Sequence, residues 1–143
     1  MKNNLQNLPQ LFLRVTLSIT MLSAVADRFG FWGTASVWGN WDNFVQYTQQ
    51  LLPFLPHGIT AFSAGMATFL EILFPLMLLV GFKTRIAAVG TGFLLLSFAL
   101  SMSFALGIKA PLDYSVWVGC SAAFLLVVQK EYPFSIDSLT KNI

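Results

Sequence analysis

TFLEILFPLMLL, residues 68–79, sets a single carboxylate, Glu71, in an otherwise uncharged and mostly apolar stretch. The surrounding segment, from about Gly58 to Gly81, exceeds the ~20 mostly apolar residues that cross a hydrocarbon core as a helix. An ionisable group at the bilayer centre costs at least ~2.5–3.5 kcal/mol on insertion scales, so it turns toward the bundle interior and takes a partner. At about 100° per residue, Thr60, Ala64, Ala67, Thr68 and Pro75 fall within about 40° of Glu71. That face is small and weakly polar, which suits helix contact rather than lipid. Pro75 cannot donate to the Glu71 carbonyl, so an unpaired acceptor and a kink are expected beside the carboxyl.

Composition agrees with a lipid environment. The 143 residues are 56% hydrophobic and 10% charged, with a mean hydropathy of +0.70. A soluble domain carries about 25% charged residues, so this chain cannot cover a water-facing surface. The length suits one domain, residues 1–143. A net charge of +2 is too small to suggest a nucleic-acid partner. Cys120 is the one cysteine and His57 the one histidine, which excludes an internal disulfide framework, a CxxC pair and a histidine-rich metal cluster.

Four apolar segments are read as spans, at about 8–29, 58–81, 85–107 and 114–129. The links FKTR and IKAPLD are short, so neighbouring helices should be antiparallel. The expected fold is an all-α, integral membrane, antiparallel four-helix bundle with a tail over 130–143. The first loop is longer and holds Trp32, Trp38 and Trp41. Such residues favour the headgroup level. Phe44, Tyr47, Leu51, Leu52 and Leu55 recur at roughly helical spacing, which predicts an interfacial amphipathic helix over about 43–52, ended by Pro53 and Pro56.

Lysine and arginine orient the chain. Lys2, Lys83, Arg85, Lys130 and Lys141 share one side, with Arg14 just inside it, against Arg28 and Lys109 on the other. The positive-inside rule then places both termini in the cytoplasm. A rival reading takes Ala24-Val25-Ala26 as a signal-peptide cleavage site, but Arg14 interrupts the apolar region and cleavage would leave three spans.

The candidate intramembrane polar site comprises Arg14, Glu71 and Arg85. Arg14 lies ~7 Å, and Glu71 ~15 Å, inside the same end of their spans, a gap an arginine can bridge. A bidentate pair would satisfy both groups. The alternatives are an Arg14 that snorkels to the headgroups, a protonated Glu71, or a pair that only fixes helix register. Asp27, Arg28, His57, Lys109 and Asp113 form a second, outer cluster, read either as a solvated rim or as a polar mouth for a head group. Ser97, Ser101 and Ala105 recur every four residues, a stripe suited to close helix packing or to a homodimer.

Taken together, several features resemble the DoxX family of small four-helix bacterial membrane proteins. They are Arg14 one turn into span 1, Asp27-Arg28 at its end, the aromatic loop, Glu71, the run PLMLLVGFKTR and Ala87-Ala88. The likeness runs to about residue 130 and is most specific from Glu71 to Arg85. Where the family often has a glycine three residues before a lysine, this chain has Val25 and Arg28. The family includes proteins like the membrane subunit of thiosulfate:quinone oxidoreductase. The resemblance therefore implies the inner membrane of a bacterium, a quinone link and a redox partner protein. An apolar slot with a few donors suits a quinone head. No dithiol, iron–sulfur cysteine set or dinucleotide fingerprint is present, so electrons would have to come through a partner. No covalently bound cofactor and no metal are expected. Two other readings stay open: a ligand-free scaffold or assembly factor, and a small proton or solute carrier built on a midplane carboxyl beside a proline.

Overall fold

The computed structural model describes residues 7–140, and every regular element among them is helical. In chain order these are α1 (Leu8–Arg28), α2 (Trp41–Leu51), α3 (His57–Val80), α4 (Thr84–Leu106), α5 (Lys109–Asp113), α6 (Val116–Val127) and α7 (Ile136–Thr140). A single turn of 3-10 helix, Gly33–Ala35, lies between α1 and α2. Helices α1, α3 and α4 are each long and apolar enough to cross a membrane. Lys2 and Lys141, which enter the charge argument, lie outside the described residues.

The pattern of burial is the reverse of a water-soluble bundle. Arg14, Ser18, Thr60, Thr68, Glu71, Thr84 and Thr91 are buried, while Phe12, Ile19, Phe62, Phe69, Phe93, Phe104 and Val118 are exposed. Polar groups that lipid cannot solvate turn inward, and large apolar side chains face out. The face expected around Glu71 forms in most of its positions: Thr60, Ala64, Thr68 and Pro75 are buried with it, and Ala67 is half-buried. This is a membrane protein.

Contacts between α1 and α3 run in opposite directions along the two helices. Arg14 meets Leu78 and Leu79, and Arg28 meets Thr68 and Glu71. Helix α4 packs on α6 through small residues. Ala87 and Ala88 share a core with Ala123 and Leu126, and a Cβ on Gly92 would come within 2.8 Å of the Phe124 ring. That is where backbones approach closely, rather than along Ser97, Ser101 and Ala105. Ala105 is exposed, and the two serines line a cavity described below.

The fourth apolar segment departs from the helix expected over 114–129. Pro111 lies in the short α5, suited to a first turn because it lacks an N–H. Ser115 then takes a left-handed conformation, φ 55°, and separates α5 from α6. The resulting α6 has 12 residues, a rise of about 18 Å against a hydrocarbon core of about 30 Å.

The C-terminal segment folds back onto the turn between α3 and α4. Gly81 ends α3 at φ 69°, a region that disfavours side chains. Its carbonyl accepts from the Asp137 N–H at 2.9 Å. The Asp137 carboxylate accepts from the backbone N–H of Lys83 (2.8 Å) and of Thr84 (2.7 Å), which satisfies amides at the start of α4. Burial pushes the Asp137 carboxyl up, but hydrogen bonds from Thr84 and Lys83 and the charge of Arg14 outweigh it and hold it below its ordinary value.

A Cβ at residue 81 would lie 2.1 Å from Ser135 Cβ and 2.6 Å from Arg14 Nη2. Gly81→Ala should therefore cost about 1–3 kcal/mol and open residues 130–140 to limited proteolysis. Because Asp137 is depressed, its contribution is complete above the unfolded carboxyl value of about 3.9 and is lost as pH falls through the lower folded value. Hydrogen exchange in residues 130–140 should accelerate in that acid window in the wild type, and should already be fast at neutral pH in Asp137→Ala.

Candidate ligand site at the Arg28–Glu71 pair

The partner of Glu71 is Arg28. Arg28 Nη2 lies 2.5 Å from Glu71 Oε2, and both side chains are nearly inaccessible, at 3% and 4%. Arg28 Nη1 donates to Thr68 Oγ1 at 2.7 Å, and Thr68 in turn donates to the Ala64 carbonyl at 2.9 Å. Thr68 sits one helical turn before Glu71, so one guanidinium engages two consecutive rungs of the same α3 face. A Phe44 ring centroid lies 3.8 Å from Arg28 Cζ, and Trp38 lies at 5.6 Å. These rings cover the ion pair and add a cation–π attraction.

Arg14, expected to be that partner, serves a different end of α3. It is fully buried; Nε donates to the Leu78 carbonyl at 3.0 Å, Nη2 to Leu79 at 3.4 Å and Nη1 to Pro133 at 3.1 Å. The reason is local. At the left-handed Gly81 the chain closes with the Phe82 N–H on the Met77 carbonyl, so the carbonyls of Leu78 and Leu79 lose their helical donors. Those orphan acceptors lie nearer to Arg14 than Glu71 does. Arg85, the other candidate, is exposed and caps α6, donating to Val127 at 3.2 Å and Gln129 at 3.4 Å. Of the intramembrane set Arg14, Glu71 and Arg85, only Glu71 is in this site.

The outer cluster divides similarly. Among the described residues, Asp27 pairs with no side chain. Its carboxylate accepts from the backbone N–H of Val37 (2.7 Å), Trp38 (2.8 Å) and Gly39 (3.4 Å). It thereby pins the aromatic loop over the last turn of α1. Asn40 starts α2 by accepting from the Asn43 N–H at 2.9 Å. Gln49 ends it by donating to the carbonyls of Leu52 and Leu55. His57 is exposed at the start of α3, and Lys109 and Asp113 form an exposed i,i+4 pair on α5. Among the described residues, no three of His, Cys, Asp and Glu come together in a group able to hold a metal ion.

Above the pair lies a mainly apolar cavity of about 900 Å³, within the range of small-molecule sites. Its walls come from α1, α2, α3, α4 and the residues around Tyr114, with Asp27, Arg28 and Glu71 as its charged groups. Helix α2 contributes Phe44, Tyr47, Thr48 and Leu51, and Ser97 and Ser101 come from α4. Tyr47 sits against Trp38, ring centroids 5.6 Å apart. Burial, and then the nearby Tyr114, push the Tyr47 hydroxyl above its ordinary value, so it stays protonated. Periodicity singles out Phe44, Tyr47 and Leu51 as one apolar stripe. That the stripe lines a cavity depends on the Asp27 tether, which no local signal reveals.

The DoxX family model matches residues 10–104, which include α2, α3 and most of α1 and α4. The chain belongs to the DoxX family. The matched segment holds Arg14, Asp27, Arg28, Glu71 and Arg85, so both buried arginines and the cavity's charged groups belong to the family portion of this DoxX protein. Neither the curated proteins nor the solved structures contain a match to the chain.

The two arginines make a double-mutant test decisive. Removing either partner of the buried pair, Arg28→Ala or Glu71→Ala, should cost about 3–5 kcal/mol, because the other charge is left uncompensated. Arg28→Ala and Glu71→Ala should couple by about 0.5–3 kcal/mol, whereas Arg14→Ala and Glu71→Ala should add within about 0.5 kcal/mol. Reversible unfolding in lipid–detergent micelles measures both cycles.

Proposed function

We propose that this DoxX protein is a membrane subunit that holds a quinone-class lipid in the cavity beside Arg28 and Glu71, and that a partner protein supplies the electrons. The carrying observation is the cavity of about 900 Å³, apolar over most of its wall and charged where Arg28 and Glu71 meet it. A polar head at the ion pair and an apolar body along α2 and α4 would match that division. The chain offers no electron carrier of its own, with one buried cysteine, Cys120, that donates to the Gly92 carbonyl. The partner therefore carries the redox group.

In this reading the protein sits in the inner membrane of a bacterium with both termini in the cytoplasm. Helices α1, α3 and α4 cross fully, and α5 with α6 complete an antiparallel four-helix bundle. Helix α2 lies at the outer interface and roofs the cavity. The exposed Lys83, Arg85 and Lys130 stand on the cytoplasmic side, where basic residues collect.

Extraction in native lipid particles followed by mass spectrometry of the intact species tests this directly. The wild type should carry one quinone-class molecule per chain. Ala67→Phe, which fills the cavity from α3 and leaves both members of the ion pair in place, should lose it, and Glu71→Gln should hold it several-fold more weakly. Wild-type particles with no such molecule would instead favour the ligand-free scaffold, with the ion pair a staple alone.

A further inference from the structure

The hydrogen-bonding polarity of the cavity wall goes further and, resting on the reading above, specifies the redox state of the ligand. Arg28 is the only charged donor at the cavity among the described residues, and it is nearly inaccessible there, with two of its nitrogens engaged and Nε buried without a partner. Nη1 donates to Thr68, Nη2 meets Glu71, Phe44 covers its face, and Nε is buried out of reach of solvent. Arginine remains protonated, and Asp27 is engaged by three loop amides, so Glu71 is the counter-ion and carries the negative charge. Arg28 occupies Glu71 Oε2, while no hydrogen bond reaches Oε1 among the described residues. A carboxylate oxygen can only accept.

Four of the six serine and threonine hydroxyls on the wall have the same polarity, while Ser23 and Ser101, which make no side-chain hydrogen bond among the described residues, can donate or accept, and the Trp38 indole N–H can only donate, so the selection rests on Glu71. Thr20 donates to the Thr16 carbonyl (2.8 Å), Thr48 to Phe44 (2.9 Å), Ser63 to Ile59 (2.9 Å) and Ser97 to Leu94 (2.7 Å). Each spends its hydrogen on its own helix and offers lone pairs to whatever else approaches. Tyr47 and Tyr114 can donate or accept, so they do not discriminate. A ligand whose head carries only carbonyl oxygens would set lone pairs against lone pairs at Glu71. A head that carries O–H groups would complete it.

We infer that the cavity selects the reduced, dihydroxy form of a quinone-class ligand, with a phenolic O–H donated to Glu71 Oε1. Binding involves no electron transfer; the site discriminates between the two forms by hydrogen-bond polarity alone. Selective holding of the reduced form would keep product at the protein, or deliver it to the partner, according to the direction in which electrons flow.

The test titrates the full chain in lipid nanodiscs with a decyl-substituted benzoquinol, under anaerobic reducing conditions, and separately with the matching benzoquinone, by calorimetry. The quinol should bind at least about tenfold more tightly, the equivalent of one charge-assisted hydrogen bond. In Glu71→Gln the amide presents both a donor and an acceptor, so the ratio should fall toward one. Glu71→Asp, which keeps the charge, should retain a preference for the quinol and controls for misfolding. A wild type that binds the quinone as tightly as the quinol, or more tightly, overturns the inference while leaving the proposed function intact. So does a ratio unchanged in a folded Glu71→Gln. Binding of neither form overturns the proposed function and the inference with it.

Discussion

One buried ion pair, Arg28 Nη2 to Glu71 Oε2 at 2.5 Å, ties the end of α1 to the middle of α3, and much of that half of the molecule is arranged around it. Two opposite charges in a low-dielectric interior attract strongly, but each loses its hydration, so neighbours have to complete the shell. Thr68 takes one guanidinium nitrogen and Phe44 covers the plane. Phe44 can do so because α2 is brought over α1, and α2 is brought there by the loop that Asp27 anchors through three amides. Asp27 and Arg28 are adjacent in sequence yet do unlike work: one holds backbone, the other holds charge. Removal of the anchor would uncover the pair that the anchor never touches.

The opposite end of the molecule solves a different problem with the same residue type. Helices leave their last carbonyls without donors, and lipid offers none. Arg14 supplies them to α3 and Arg85 to α6. Asp137 does the converse for α4, accepting from its first amides. Cations at helix C-termini and an anion at a helix N-terminus also suit the helix dipoles. Arg14 joins two of these tasks, since its third contact, to the Pro133 carbonyl, fastens the returning segment against the turn that Gly81 creates. The polar residues within the bundle thus fall into two groups, one that closes helix ends and one that borders the cavity.

How much of this is legible in sequence follows from the range of each interaction. The inward face of α3 is periodic and local, so Thr60, Ala64, Thr68 and Pro75 fall beside Glu71 by helical geometry alone. Helix α2 is likewise local, and its observed span, Trp41–Leu51, lies within two residues of the expected one. Pairing is not local. Arg14 and Arg28 stand two heptads apart on the same helix, and the choice between them turns on where α3 stops. A uniform rod for α3 puts Arg14 within reach of Glu71 and omits the carbonyls of Leu78 and Leu79, which become acceptors only because the turn closes at Gly81. The break at Ser115 is equally hidden, since serine is not a residue that ordinarily adopts φ 55°.

The cavity follows from the same conflict between packing and satisfaction. Where α4 meets α6, small residues let the backbones close, and the interior is filled by Ala87, Ala88, Ala123 and Leu126. Around Arg28 and Glu71, α3 and α1 are held by a bulky guanidinium–carboxylate bridge rather than by small residues in contact. The roof, α2, is a separate element fastened at its ends and not a continuation of the bundle. Space therefore opens between bridge and roof, and it opens on the side where Glu71 retains an unengaged oxygen. A purely architectural staple would gain stability from filling that volume with a larger residue at Ala67 or Ser101. The chain instead leaves a large, mainly apolar space beside this carboxylate under an aromatic cover, an arrangement that costs packing energy.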